Sequence, residues 1–213
     1  MSGVDLERRL GPRAARSRET RRRIIEAALR LFVEEGYLPT TMNAIAREAG
    51  VAVQTLYLAF GSKASILAAA LDVAIVGDDA PVPLLERPWI TEVRAEEDGR
   101  LAVALLCREV TELFRRVAPL HVAIRAATGD ADVARLLERD QQSRYATQRQ
   151  FVAILATKPG FNTDLGEERA TDIVYGLLSE ALYLLFCGDR GWSPEDWAAW
   201  VSTTLSNQFF PTR

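Results

Sequence analysis

The side chains that can do chemistry are sparse and unevenly placed. There is one histidine, His121, and the two cysteines, Cys107 and Cys187, lie eighty positions apart. That is neither the spacing of a metal knuckle nor the density of a secreted disulfide scaffold, and it fits a reducing compartment. No Gly-rich phosphate loop, G-x-S-x-G elbow or H-E-x-x-H pair occurs, which removes the enzyme classes that leave such motifs and leaves no metal or cofactor expected. Catalysis by carboxylates or tyrosine leaves no sequence signature, so a small-molecule enzyme stays open as an alternative. What is concentrated instead is positive charge. Residues 1 to 64 hold eleven Lys plus Arg against seven Asp plus Glu, whereas residues 65 to 213 hold fifteen against twenty-two, within a total of −3. A basic end on an acidic chain suits a polyanionic partner held at that end.

Within the basic third, Thr40 to Tyr57 carries the informative spacing. Two short helical runs, Met42 to Ala49 and about Ala52 to Leu58, are joined at Gly50, with Ile45, Ala46, Val51 and Leu56 placed to pack them together. A small residue allows close approach, glycine permits the sharp turn, and the result is helix-turn-helix spacing. Such a hairpin leaves one face of its second helix free for a major groove about 12 Å wide.

The same stretch resembles the N-terminal domain of the tetracycline-repressor (TetR) family. The resemblance covers roughly residues 18 to 70 and rests on Gly36-Tyr37, Thr40-Thr41, Ile45-Ala46, Ala49-Gly50-Val51, Thr55-Leu56-Tyr57, Phe60 and Ser62-Lys63. It implies that Thr41, Tyr57 and Lys63 hold DNA phosphates, with Thr40 and Thr55 in the same motif. Helix N-termini, a lysine and a tyrosine hydroxyl are suited to that role. The chain departs from the family pattern in the second helix, where Ala52, Val53 and Leu58 replace polar side chains. Gln54 is the candidate for a bidentate contact to adenine, and Ala52 and Val53 for contact with a thymine methyl. Arg16, Arg18, Arg21 and Arg22 are candidates for backbone or minor-groove contact.

The elements that must position these residues are helical, with no clean strand alternation anywhere. The expected fold is all-α with about nine helices: a basic flexible arm over 1–17, a three-helix DNA-binding head over 18–63, and a helical ligand-binding and dimerisation body over 64–213. Helices are expected over about Ser17–Glu35, Met42–Ala49, Ala52–Leu58, Lys63–Val76, Arg100–Val117, Leu120–Ala127, Ala131–Thr157, Gly166–Cys187 and Pro194–Asn207. A Pro- and acid-rich loop, Gly77 to Gly99, separates the two blocks. The apolar run Ile173 to Cys187 is interrupted by Gly176, Ser179 and Glu180 and is expected to fall short of the roughly 20 residues that cross a bilayer. The first residues lack a secretory apolar run, so a bacterial cytoplasmic location is expected.

The helix around Ile173 to Phe186 is apolar nearly all round and must be covered on two sides. Its own core is one cover. A symmetry mate is the other, giving a homodimer seam of Ile173, Leu177, Ala181 and Leu184 with Trp197, Trp200, Val201, Thr204 and Leu205; a monomeric core with no seam is the alternative. For the small-molecule effector chamber that the resemblance implies, the candidates are Trp89, Phe114, His121, Arg125, Tyr145, Phe151 and Tyr175, which combine apolar walls with a few polar tips. The reading is a regulator of transcription on a pseudo-palindromic operator in double-stranded DNA, and the resemblance implies a repressor released by its effector. A helical protein-interaction adaptor is the further alternative, but it leaves the basic end without a purpose.

Overall fold

The computed structural model describes residues 12–78 and 82–211. Of the expected basic arm, residues 1–11 lie outside these; from Pro12 onward the chain is already helical. The order is α1 (Pro12–Glu34), α2 (Met42–Ala49), α3 (Val53–Phe60), α4 (Lys63–Val76), a short 3₁₀ turn (Leu84–Glu86), α5 (Pro88–Ala95), α6 (Gly99–Ala126), α7 (Ala131–Ala156), a second 3₁₀ turn (Thr163–Leu165), α8 (Glu167–Leu177), α9 (Glu180–Tyr183) running into a wider π-type turn (Leu184–Asp189), and α10 (Pro194–Phe209). No strand occurs among the described residues. The all-α expectation therefore stands.

Two compact units are formed: the described part of Met1–Pro81 with Pro119–Leu137, and Val82–Ala118 with Glu138–Arg213. In the first, Ile24, Ala28 and Phe32 of α1 are buried together with Ile45 of α2, Leu56 of α3 and Ile66, Leu67 and Ala70 of α4. Lys63–Val76 thus belongs to this unit by its packing, although a division by role places the boundary at residue 63. In the second, one core joins Ile90 and Val93 of α5, Leu106 and Phe114 of α6, Phe151 and Leu155 of α7, Val174 and Leu178 around the end of α8, and Trp197, Val201, Leu205 and Phe209 of α10.

Three helices differ from expectation. Pro88–Ala95 was expected as loop but forms α5, with Pro88 at its first turn and Ile90 and Val93 buried three residues apart. Proline is suited to that first position because its missing N–H would be unpaired there anyway. The expected pair Arg100–Val117 and Leu120–Ala127 is a single helix, α6, with Pro119 inside it. Val117, Ala118, Leu120 and Ile124 are all buried while Pro119 is exposed, so burial on both sides of the proline outweighs one lost backbone bond. The expected Gly166–Cys187 helix is broken at Leu178, where ψ is 65°, and Ser179 starts a new helix by accepting a hydrogen bond from the Leu182 N–H. The freed Leu178 carbonyl accepts from the buried Gln148 side chain at 2.7 Å.

The same segment is longer than the sequence reading allowed. Glu167–Asp189 is a 23-residue stretch with mean hydropathy 1.4, long and apolar enough to cross a membrane by length and composition alone. Its Ala170, Val174, Leu178 and Tyr183 lie in the core of the second unit, and Glu180 is buried with Arg144 Nε 3.7 Å away.

Helix ends in the first unit are closed locally. Thr41 caps α2 by accepting from the Ala44 N–H at 3.1 Å, and Gly50 ends it at φ +64°. That left-handed conformation favours glycine. Ser62 caps α4 by accepting from the Ser65 N–H at 3.1 Å. The cap of α3 is the exception, because Ala52 has the extended backbone of a cap residue and no side chain to fill it. Ala52→Ser should therefore stabilise the chain by about 0.5–1 kcal/mol, read as a higher urea midpoint. An unchanged midpoint would mean that the first N–H groups of α3 gain nothing from a protein acceptor.

Candidate nucleic-acid interface

The expected DNA-binding residues divide into those the structure exposes and those it turns inward. On α3, Leu56 is fully buried while Val53 and Phe60 are half-buried, so the face at positions 53, 56 and 60 packs inward. Gln54, Tyr57 and Leu58, three and four residues apart, form an exposed face beside it. Tyr57 is 54% exposed and Leu58 is 89% exposed. Ala52 is exposed at the helix start, Val53 and Thr55 are half-buried, and Thr41 is exposed at the N-terminus of α2. Thr41 and the α3 face are thus accessible to a ligand.

Thr40 and Lys63 are not presented in the same way. The Thr40 side chain is buried, and its single hydroxyl proton is donated to the Gly36 carbonyl at 2.7 Å, with the Leu31 carbonyl sharing it at 3.3 Å. It ties the end of α1 to the start of α2 and offers nothing outward, which corrects the expectation for its side chain. The Lys63 ammonium donates to the carbonyls of Tyr37 at 2.7 Å, Thr40 at 2.8 Å and Leu38 at 3.4 Å, and lies 4.1 Å from the Tyr37 ring centroid. A lysine has three donors, and here all three have carbonyl partners. Burial pulls its pKa below the ordinary lysine value, with Asp130 opposing that shift. In this conformation Lys63 closes the turn between α1 and α2; a phosphate could be held only at the expense of those bonds.

The arginines expected as part of a flexible arm lie on α1. Arg22 is engaged by Glu19 at 2.8 Å and Glu26 at 2.7 Å, and the Glu19 hydrogen bond, then the Glu26 charge, raise its pKa further. Its charge is matched locally. Arg21 sits 4.3 Å from the Phe60 ring centroid, and Arg18 is half-buried. Arg16 is exposed.

Two positioning residues escaped the sequence reading. The Arg23 guanidinium donates to the Ala49 carbonyl, and to the Gly50 carbonyl at 3.2 Å, pinning the turn of the helix-turn-helix onto α1. A Cβ on Gly50 would come within 2.8 Å of that guanidinium, whose flexible end would have to shift, so it is the φ of +64° that favours glycine there. Arg30 pairs with Glu48 at 2.8 Å, tying α1 to α2. Long basic side chains that serve backbone carbonyls leave no spacing signature; Arg23 was visible only as one of a run of three arginines.

In the second unit the expected chamber residues form separate pairs. Trp89 lies against Phe151 with ring centroids 6.0 Å apart, Tyr145 against Tyr175 at 5.4 Å, and Phe114 between Tyr183 and Trp197 at 5.7 Å from each. Tyr145 also donates to Asp172 at 3.1 Å, and the Arg144 guanidinium sits 4.0 Å from the Tyr175 ring centroid. His121, buried, and Arg125, exposed, belong to the first unit. An open groove of about 490 Å³ is lined by Glu97, Asp98, Arg100, Pro159, Gly160 and Phe210, none of them expected.

The expected seam also divides. Trp197, Val201 and Leu205 are completely buried within the unit's own core, which corrects the expectation that they face a symmetry mate. Ile173, Leu177, Leu184, Trp200 and Thr204 are half-buried and Ala181 is exposed. Leu185, 48% exposed, and Trp192, whose ring centroid lies 6.1 Å from that of Trp200, are further exposed apolar side chains.

The fold and exposed face define the first unit as a helix-turn-helix module with a free second helix. Residues 24–70 match the family of bacterial regulatory proteins, tetR family, so the likeness to that family is carried by this module. It is 40% identical over 89 residues to the uncharacterized HTH-type transcriptional regulator TtgW of Pseudomonas putida, a match covering 40% of this chain and 66% of TtgW. To the HTH-type transcriptional regulator SrpR, also of Pseudomonas putida, it is likewise 40% identical over 89 residues, covering 40% of this chain and 42% of SrpR. The match thus spans less than two thirds of either relative. Among solved structures, NalD of Pseudomonas aeruginosa, the secondary repressor of the MexAB-OprM multidrug efflux pump, superposes with a TM-score of 0.67 at 20% identity, covering 92% of this chain and 100% of NalD. At that identity the likeness is one of fold.

The turn closed by Lys63 has a titratable neighbour. Burial pushes the Tyr37 phenol from 10 up to about 12, and Asp130 and Asp132 add to the rise. Between those values the folded chain keeps the proton and the unfolded chain releases it. Stability fully present below pH 10 should therefore fall as pH rises toward 12, by up to about 2–3 kcal/mol. Tyr37→Phe lacks the group and should decline less steeply in urea titrations over that range; parallel curves for the two proteins would remove Tyr37 as the cause.

Proposed function

We propose that this chain is a sequence-specific DNA-binding regulator of transcription that represses its target and is released by a small-molecule effector. The observation that carries the reading is the face of α3, free and accessible while the rest of the helix is anchored by Leu56. The 40%-identical relatives are named as transcriptional regulators, and NalD as a repressor, which supports a regulator over an enzyme. The division by role is a DNA-binding head over 18–63 and an effector and dimerisation body over 64–213, in a bacterial cytoplasm.

In this reading Thr41 and Tyr57 contact phosphates and Gln54 contacts a base. Arg16 and Arg18 add positive charge beside the duplex. Two heads in a homodimer enter successive major grooves about 34 Å apart on a pseudo-palindromic operator. The seam uses Ile173, Leu177, Ala181, Leu184, Trp200 and Thr204, with Leu185 added. An effector that prefers the state with misplaced heads weakens DNA binding by that difference in affinity and no more. Trp89 with Phe151 and Tyr145 with Tyr175 are the aromatic pairs proposed to meet it.

Two measurements test this. Binding to duplexes selected from the source genome should fall steeply with salt, and Tyr57→Phe should weaken it several-fold through one lost phosphate contact. Salt-independent retention would overturn the DNA reading. In sedimentation at micromolar concentration the chain should be a dimer, and Leu185→Glu should drive it to monomer. A wild-type monomer there would overturn the seam.

A further inference from the structure

The α3 face is unusually poor in polar groups. Leu58 is the most exposed of the large hydrophobic side chains among the described residues, at 89%, and α3 is anchored without it through Leu56. It stands four residues from Gln54 and next to Tyr57, on the helix face that would enter a groove. Ala52 and Ala59, also exposed, add no donor or acceptor. In a major groove the C5-methyl of thymine is the feature that an apolar side chain can recognise.

We infer that Leu58 is a specificity-determining residue that packs on a thymine methyl in the operator. This rests on the DNA reading above. Four helical residues advance about 6 Å, close to two base-pair steps of about 3.4 Å. The thymine read by Leu58 therefore lies about two steps from the base met by Gln54, in each half-site. The continuity of Leu58 with Gln54 and Tyr57 on one face favours DNA over a protein partner as its cover.

Replacing thymine by deoxyuridine removes the methyl and keeps the base pair. Duplexes selected by the full chain from a random library would be remade with deoxyuridine at each thymine in turn, and binding measured for the wild-type chain and for Leu58→Ala. One thymine per half-site should lose about four-fold in wild-type affinity on substitution, the value of one buried methyl. At that position Leu58→Ala should bind the two duplexes equally. Because Leu58 is exposed, the variant keeps its fold, verified by its circular dichroism and urea midpoint. Insensitivity to deoxyuridine everywhere, or full discrimination retained by Leu58→Ala, would overturn the inference while leaving DNA binding intact. A change in self-association with unchanged thymine discrimination would assign the face to protein contact instead. Failure of the wild type to select any duplex would overturn the DNA reading and this inference together.

Discussion

A helix of eight residues is mostly ends. Its first four N–H groups and last four carbonyls have no partner within the helix, so α2 and α3 cannot hold their geometry by internal bonding. Their positions depend on outside groups that complete those ends. Thr41 supplies an acceptor at the start of α2, Arg23 supplies donors at its finish, and Leu56 locks α3 from beneath. Lys63 does for the turn before α2 what Arg23 does for the turn after it. The accessible surface of α3 exists because these buried or half-buried groups hold its backbone still.

That division explains what was legible in the sequence. Capping residues and apolar spacing act within a few residues of each other, so α2, α4 and the turn at Gly50 can be recognised from Thr41, Ser62 and the run Ile45 to Leu56. Arg23 reaches carbonyls 26 and 27 residues away, and Lys63 reaches back 23 to 26 residues. A carbonyl acceptor has no side-chain identity, so neither contact marks the sequence. Family resemblance pointed Lys63 outward, and only its surroundings show it turned in.

In the second unit the same distance effect decides the helix boundaries. Leu178 lies in a run that local periodicity reads as continuous, yet the break there is completed by Gln148, thirty residues earlier. Pro119 signals a break that tertiary burial overrides. Pro88 is a local signal for α5, but the prolines at 81 and 83 close by make the whole stretch resemble a loop. Around α10, periodicity identifies Trp197, Val201 and Leu205 as buried but not what buries them, and the unit's own core took all three.

The inward ammonium of Lys63 changes how loss of function at that residue is to be understood. Removing it would leave three carbonyls at the α1 to α2 turn short of a donor and free the ring of Tyr37 from its cation. Thr41 and the start of α2 would then be less well located, even with every groove-facing side chain intact. On the DNA reading proposed above, weakened affinity in such a variant would follow from a misaligned scaffold without any phosphate contact having been lost.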